Sequence, residues 1–474
     1  MKTIEIAARQ VPVAREADVL VVGGGPAGIG AAIAAARSGA RTILAERYGF
    51  LGGTATAALV GPFMTDHSLD GSTQVVRGIY DELMRRMEAM GGALHPAKTD
   101  SGTVYSSYIV TGHKHVGPFH PEALKSVAAE MCLEAGVELL LHSWFLEPVM
   151  EGQQVAGAVF ASKSGQQAVL AKVSIDCTGD ADLAYQAGAP TVKGRETDGK
   201  MQPMTMFFRI GNVNRDKVEA YHQQHSDEPR LFQAIVDEAR ARGEFPVPRL
   251  AIGAYMEQDG WSWRINTTRL LGLDGTKVED LITGEIEGRR QVAFLMDFFH
   301  KHLPGFENCV LLETGAQVGV RETRRILGEH VLSLEDLASG EVYVDTIALG
   351  GFPVDIHQVD GAGGTVSGWA RGKHPVADAY AIPYRSLVPR EVEGLLVAGR
   401  CLSATHEAAG AVRVMPTCFA MGQAAGMAAA LALRQGVEVR QVDVSTLRQH
   451  LQAQGAYVGP VAVVATPVPP TARS

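Results

Sequence analysis

An α/β fold is predicted by three features of the sequence. A short apolar run, VLVV at residues 19–22, leads straight into the turn GGGPAG and a helix of small residues. A meander pattern of three strands broken by Gly-containing turns occupies residues 144–176. Near the C-terminal end, GLLVAGRCLSATHEAAGAVRVMPTCFAMGQAAG returns to strand, loop and small-residue helix. The 474 residues exceed what one ordinary core organises, so two or more domains are expected. Apolar residues make up 46% and charged residues 20%, the balance of a globular chain.

The first block reads as a βαβ unit. Residues 19–22 suit a strand buried on both faces. Gly23, Gly25 and Gly28 then form G-x-G-x-x-G. In that pattern the first glycine makes the tight turn, the second admits a pyrophosphate, and the third lets the helix lie close to the sheet. Pro26 fits a first helical turn, where its missing N–H has no partner to lose. Ala27 opens a helix over 27–38 whose positive end faces the phosphates. Gly39 ends it, a second strand covers 41–45, and Glu46 stands at the strand end with Arg47 beside it. A carboxylate there, about 20 residues beyond the glycines, is placed to accept ribose hydroxyls.

GFLGGTATAALVGP follows. Gly52 and Gly53 let the backbone pass close to a bulky flat group, and Thr54 and Thr56 offer hydroxyls to phosphate or ribitol. A plain NAD enzyme has no need of this second glycine stretch, so it points to FAD.

Further along, 73–90 has one apolar face and predicts a helix, as does HPEALKSVAAEMCLEAG. VELLLHS is a buried strand. The meander closes on DCTGDADLA, which puts Thr178, Gly179 and Asp180 at a strand's C-terminal edge, where open α/β sheets bind ligands. Helical stretches are expected at 218–242 and 285–303, strands in MTMFFRIGNV and YVDTIALG, then a strand at 395–398 and a close-packed helix at 422–433. The domain reading is a discontinuous Rossmann-like FAD-binding domain (15–65, 116–200 and 376–455) with a parallel sheet, helices on both faces and the three-stranded meander. An α+β substrate domain (66–115 and 201–375) is inserted, and 456–474 is a partly disordered tail.

The formal net charge of −9 and the absence of a Lys/Arg run argue against nucleic acid or an acidic membrane surface as partner. Five scattered cysteines form no C-x-x-C pair, so neither a zinc cage nor a disulfide framework is expected, and cytoplasmic localisation is the simplest reading. The first twenty residues contain no signal-type apolar core, and GGGP breaks the one early stretch with membrane-like hydropathy. HKH at 113–115 and 300–302 and HQQH at 222–225 form no recognised metal-ligand spacing; they read as solvated surface, with no metal site.

Taken together, DVLVVGGGPAGIGAA…ILAER, FLGGTAT, DCTGDADLA, GVRETRRILGEH, FPVDIH, IPYRSLVP and GLLVAGRCLSATHEA…VRVMPTCFAMGQAAG resemble the bacterial FAD-dependent oxidoreductases related to the flavoprotein subunits of fumarate reductase and succinate dehydrogenase. The resemblance implies FAD extended across the sheet, its adenine end near Glu46 and its flavin end near Gly399, Arg400, Thr417 and Cys418. A helix starting near Pro416 would aim free N–H groups at the flavin N1–C2=O edge. It implies an acid/base role for His406 and a carboxylate-anchoring role for Arg413. Among Arg321, Arg324 and Arg325, about one helical turn apart if that stretch is helical, Arg321 is the choice for the pocket, and His357 joins the catalytic candidates. Tyr384 and Arg385 either hold substrate or lock the inserted domain. GGTAT lacks a histidine for covalent attachment, so the FAD is expected to be non-covalent. The expected activity is hydride transfer between flavin N5 and a small carboxylate or polyhydroxylated substrate, with an electron acceptor that the sequence leaves unnamed. The alternatives are an FAD-dependent monooxygenase and a non-enzymatic, RNA-handling flavoprotein.

Overall fold

The computed structural model describes residues 3–4, 10–110, 112–361 and 376–459. Strand β1 (Val13–Val22) feeds helix α1 (Pro26–Arg37), which returns to β2 (Thr42–Ala45). Val19, Leu20, Val21, Val22 and all of β2 are buried, as the continuous apolar runs require. After α2 (Ile79–Ala89) and α3 (Pro121–Glu134), β3 (Glu138–Leu140) joins the sheet edge. β4 (Trp144–Glu151), β5 (Gln154–Ser162) and β6 (Gly165–Asp176) follow as an antiparallel meander. The strand order is β3-β2-β1-β6-β5-β4, with β3, β2, β1 and β6 mutually parallel.

The chain continues through α4 (Asp182–Gln186) and β7 (Thr191–Lys193) into a second body of structure. Here β8 (Phe208–Gly211), α5 (Arg215–Gln224), α6 (Gln233–Ala241), β9 (Ala254–Met256), β10 (Trp263–Ile265), α7 (Val278–His302) and β11 (Val310–Thr314) succeed one another. The strands form an antiparallel sheet in the order β11-β8-β10-β9, over an apolar core of its own that includes Phe208, Trp263, Phe299 and Phe306.

β12 (Arg324–Ile326) pairs with β7, α8 (Leu334–Ser339) follows, and β13 (Thr346–Gly350) pairs with β14 (Tyr380–Pro383). β15 (Leu395–Val397) then returns to the large sheet. It lies parallel to Ser174, Ile175 and Asp176 of β6, while β5 pairs with the earlier residues of that long strand. One strand thus anchors both the meander and the C-terminal block. α9 (His406–Val412), α10 (Met415–Gln435) and α11 (Val444–Ala453) complete the fold.

The packing of α10 on α1 explains its small residues. A Cβ on Gly422 would lie 2.0 Å from the Ala27 carbonyl oxygen, and one on Gly426 would lie 2.0 Å from that of Ala31. What approaches these two glycines is the backbone of α1, so only glycine permits the contact. α10 is also long and apolar enough to cross a membrane, but 89% of its apolar window is buried in the protein.

Several sequence expectations need correction. The helix expected at 73–90 starts only at Ile79, because Gly78 has φ 67° and breaks it. The stretch 218–242 splits into α5 and α6, with Pro229 in the gap, where it cannot supply a helical N–H. α7 begins at Val278, ahead of the expected 285, and α10 begins at Met415, ahead of 422. GVRETRRI is not helical; it is extended and ends in β12. The Pro-rich end from 466 lies outside the described residues.

Candidate functional site

The glycine turn is dictated by close backbone contacts. Gly23 has φ +103°, and a Cβ there would come 2.5 Å from the Cys177 carbonyl oxygen. A Cβ on Gly28 would fall 1.8 Å from the Gly23 oxygen, so α1 can sit on the turn only with glycine. Gly25 differs: the nearest atom to its added Cβ would be Gly53 Cα at 3.8 Å. The space in front of Gly25 is a cleft of about 1010 Å³. At its edge Gly25 caps α1 without any side-chain partner, which leaves first-turn N–H groups for an anion.

Gly23, Gly25, Pro26, Ala27, Glu46, Arg47, Gly53, Thr54, Thr178, Gly179, Asp180, Gly399, Arg400 and Cys418 all line this cleft. Glu46 is buried and already engaged: Oε2 accepts from the Gly24 N–H at 2.7 Å and Oε1 from the Tyr48 N–H at 2.9 Å. It holds the turn in shape and keeps lone pairs for a ribose. Arg47 donates to Gln317 Oε1 at 2.6 Å and stands over the Trp144 ring at 5.2 Å. Asp180 accepts from Arg400 Nη2 at 2.5 Å, and Thr178 Oγ1 donates to Asp176 Oδ1 at 2.7 Å. The sequence reading missed Tyr48, Trp144, Phe145 and Gln317, which also form the wall.

Four expected cofactor residues are not on that wall. Gly28, within α1, faces the Gly23 carbonyl instead. Gly52, at φ +113°, shapes the short turn whose Thr56 is buried and donates to the Leu51 carbonyl at 2.9 Å. Thr417 is buried in the first turn of α10.

A second cavity, of about 2180 Å³, adjoins the first and shares Thr54, Arg400, Arg413 and Met415 with it. α10 begins at this junction, and its N-terminal residue Val414 provides no side-chain cap. The larger cavity has an apolar side that includes Val60, Pro62, Met64, Phe207 and Phe352, and a charged, mainly cationic side with Arg230, Arg249, Arg321 and Arg413 and the carboxylates Asp227, Glu228 and Asp355.

On the cationic side, Arg413 Nη2 donates to the Asp355 carbonyl at 3.1 Å and lies 3.4 Å from Asp355 Oδ2, while its Nε is buried without a partner. Arg321 Nη1 donates to the Pro203 carbonyl and to Thr205 Oγ1, both at 2.6 Å, and Nη2 to Asn266 Oδ1 at 3.3 Å. Burial and the nearby Arg413 charge push the Arg321 guanidinium well below its ordinary range. His357 lies on the same wall. Its Nδ1 is 3.0 Å from Arg249 Nη1, which can only donate, so Nδ1 accepts and the ring proton sits on Nε2, 3.4 Å from Asp355 Oδ2. Burial lowers the His357 pKa well below the usual value, so the ring is neutral. Despite burial, His357 and Arg413 hold the Asp355 carboxyl well below its ordinary value.

His406 is elsewhere. It is 3% exposed and lines neither cavity. Its Nδ1 is 2.9 Å from Glu322 Oε1, and Glu322 also receives Arg325 Nη1 and the Gln202 N–H. A buried carboxylate thus binds the ring behind the cavity wall. The extended backbone of GVRETRRI separates its three arginines. Arg321 reaches the cavity, Arg324 goes to Asp182 at 2.9 Å and the Asp180 carbonyl at 3.0 Å, and Arg325 goes to Glu322 and the Ala404 and Gly194 carbonyls. Tyr384 donates to the Val439 carbonyl at 2.7 Å and Arg385 to Asp345 at 2.9 Å, so both brace the framework.

The five cysteines are buried and unpaired, and burial pushes the Cys418 thiol up to about 12, which removes a thiolate relay from consideration. Among the histidine runs, His115 is not solvated surface: its ring stacks on His67 at 3.9 Å. His113 and His222 line the larger cavity, His222 against the Tyr108 ring at 4.2 Å. Among the described residues no group of three or more His, Cys, Asp or Glu side chains is arranged to hold a metal ion.

A family model described as FAD dependent oxidoreductase matches residues 18–451. Thiamine thiazole synthase of Aeropyrum pernix is 33% identical over 142 residues, which are 30% of this chain and 43% of that protein. Among solved structures, a geranylgeranyl bacteriochlorophyll reductase-like protein of Thermoplasma acidophilum aligns at 16% identity and TM-score 0.43, over 94% of this chain and 84% of that one. The p-nitrophenol 4-monooxygenase of Pseudomonas putida aligns at 12% identity and TM-score 0.44, over 94% and 87%.

Proposed function

The chain belongs to the FAD-dependent oxidoreductase family, and from that premise we propose that it binds FAD non-covalently in the glycine-lined cleft and exchanges a hydride with a small organic anion held in the adjoining cavity. The observation that carries this reading is the shared wall: Thr54, Arg400, Arg413 and Met415 border both spaces. A cofactor end reaching that junction from the glycine turn meets the substrate space directly.

Bound FAD supplies N5 as a centre that takes or gives a hydride. The chain's own residues supply the rest. First-turn N–H groups of α1 meet the pyrophosphate. The free N–H groups at the start of α10 offset negative charge on the ring's pyrimidine edge. Arg413, with an unsatisfied Nε, and Arg321 anchor a carboxylate or comparable anion. His357 holds a proton on Nε2 beside Asp355 and is the cavity histidine suited to proton transfer, in place of His406. The apolar side excludes water from the reacting carbon. An anion-anchoring role for Arg413 also fits the resemblance to fumarate reductase flavoproteins read from the sequence.

Anaerobic mixing of the holoprotein with a panel of small organic acids, sugars and polyols tests this. Flavin bleaching by one or more acids, weakened in Arg413→Gln, is the expected result. Bleaching by neutral polyols alone, unchanged in that variant, would contradict it. Transfer of an oxygen atom from O₂ to the product would assign the protein to the monooxygenases.

A further inference from the structure

The large cavity has a small side chamber, with which it shares Ile109, Arg230, Arg249 and Tyr255. The chamber wall adds Arg269 and includes no acidic residue. Arg269 is 2% exposed. Its Nη2 donates to the Gln358 carbonyl at 2.6 Å, but Nε and Nη1 are buried with no partner. Arg249 spends Nη1 on the neutral His357 ring. Among the described residues no carboxylate forms an ion pair with Arg230, Arg249 or Arg269.

Buried guanidinium donors are nearly always satisfied, and the Asp355 charge that reaches Arg249 and Arg269 is already shared with Arg413 and His357. The proximity is strong enough that burial, then Arg249, lowers the Arg269 pKa to about 10, and burial, then Arg230, lowers that of Arg249. The unpartnered Nε and Nη1 of Arg269 leave donors for a further anion at this place. A carboxylate offers one charge and two oxygens. A phosphate monoester offers about two charges at neutral pH and three terminal oxygens, which suits three converging forks better.

We propose that the side chamber walled by Arg230, Arg249 and Arg269 is a phosphate subsite, and that the substrate is a phosphate monoester whose other end extends into the main cavity toward Arg321 and Arg413. The second half of this statement rests on the hydride-transfer reading; the first half does not. Phosphate held by Arg269 fixes one end of the molecule and so sets which carbon lies at the cavity junction. Arg249 contacts both the chamber and His357, and couples occupancy of the subsite to the orientation of that ring.

The test uses FAD-loaded protein, so that the dinucleotide cleft is filled. Inorganic phosphate is titrated by calorimetry against chloride at matched ionic strength, and glycerol 3-phosphate is then added as a competing monoester. Saturable phosphate binding by the wild type is expected, weakened about tenfold or more in Arg269→Gln, with the monoester competing. Arg230→Gln, at a half-buried position, gives the same reading if Arg269→Gln does not fold. Absence of phosphate binding by the wild type, or equal binding by the folded variants, overturns the subsite. Phosphate binding with no competition from the monoester overturns the substrate assignment. FAD content is read by absorbance in every sample. A flavin-free preparation contradicts the oxidoreductase reading separately, since the chamber lies apart from the glycine turn.

Discussion

Arg413 Nη2 lies 3.1 Å from the Asp355 carbonyl oxygen and 3.4 Å from its carboxylate, and so ties the end of α9 to the FPVDIH segment on the wall of the larger cavity. Asp355 in turn touches His357, whose other nitrogen meets Arg249. Removing the guanidinium takes away an anion donor and also leaves a buried carboxylate short of one partner. Arg413→Gln is therefore expected to lower kcat/KM for substrate-driven flavin reduction by about a hundredfold. Stopped-flow absorbance measures this, with FAD content confirming that the cleft is intact.

Two glycines three positions apart should respond in opposite ways. Gly25 faces open space, so Gly25→Val folds but fills the approach to the turn, and the protein purifies without flavin. Gly28 has the Gly23 oxygen 1.8 Å from where a Cβ would sit. Gly28→Ala is expected to cost about 3 kcal/mol or more of stability, from overpacking against backbone. Flavin absorbance and denaturant unfolding separate the two outcomes.

His406 pairs with Glu322 instead of lining a cavity. His406→Ala should cost about 1–3 kcal/mol, because Glu322 loses one of its buried partners. Flavin reduction at saturating substrate should stay within about threefold of wild type. A loss of chemistry with unchanged stability would return His406 to the reaction.

Much of the nucleotide-binding half could be read from the sequence because its constraints are local. The steric demands of Gly23 and Gly28 come from neighbours in one strand–turn–helix unit, and the period of the apolar residues marks the strands. The substrate side was harder. Whether His406 faces a cavity depends on Glu322, 84 positions away in the chain. Arg249 and Arg269 sit outside regular elements, with nothing periodic to mark them, and come together only through tertiary folding. The small residues of α10 were visible, but their reason was not: Gly422 and Gly426 answer to the backbone of α1. The three arginines of GVRETRRI look clustered in sequence, yet an extended backbone sends each to a different partner.

Glu257 supplies a pH-dependent test of the region built on the four-stranded antiparallel sheet. It is 2% exposed and bridges two buried arginines, at 2.6 Å from Arg209 Nη2 and 2.6 Å from Arg264 Nη2. Arg264 extends the link to the Phe119 carbonyl at 2.8 Å and that of Val60 at 3.2 Å. Burial opposes ionisation of Glu257, but Arg264 and Arg209 outweigh it and hold the pKa below the ordinary 4.5. The native state then binds fewer protons than the unfolded chain. The contribution is complete above pH 4.5 and is lost as the pH falls through the lowered folded value. Glu257→Gln should cost about 3–5 kcal/mol at pH 7, by leaving two buried cations under-compensated. The gap between variant and wild type should narrow on acidification below pH 4.5; urea unfolding across that range measures it.

The central claim is that FAD threads the cleft from the glycine turn to the arginine-lined cavity. A crystal structure of the holoprotein tests it most directly. The account predicts density for the adenosine end beside Glu46 and for the tricyclic ring at the junction of Thr54, Arg400, Arg413 and Met415. A ring seated anywhere else, or a nicotinamide dinucleotide along that path, would contradict it.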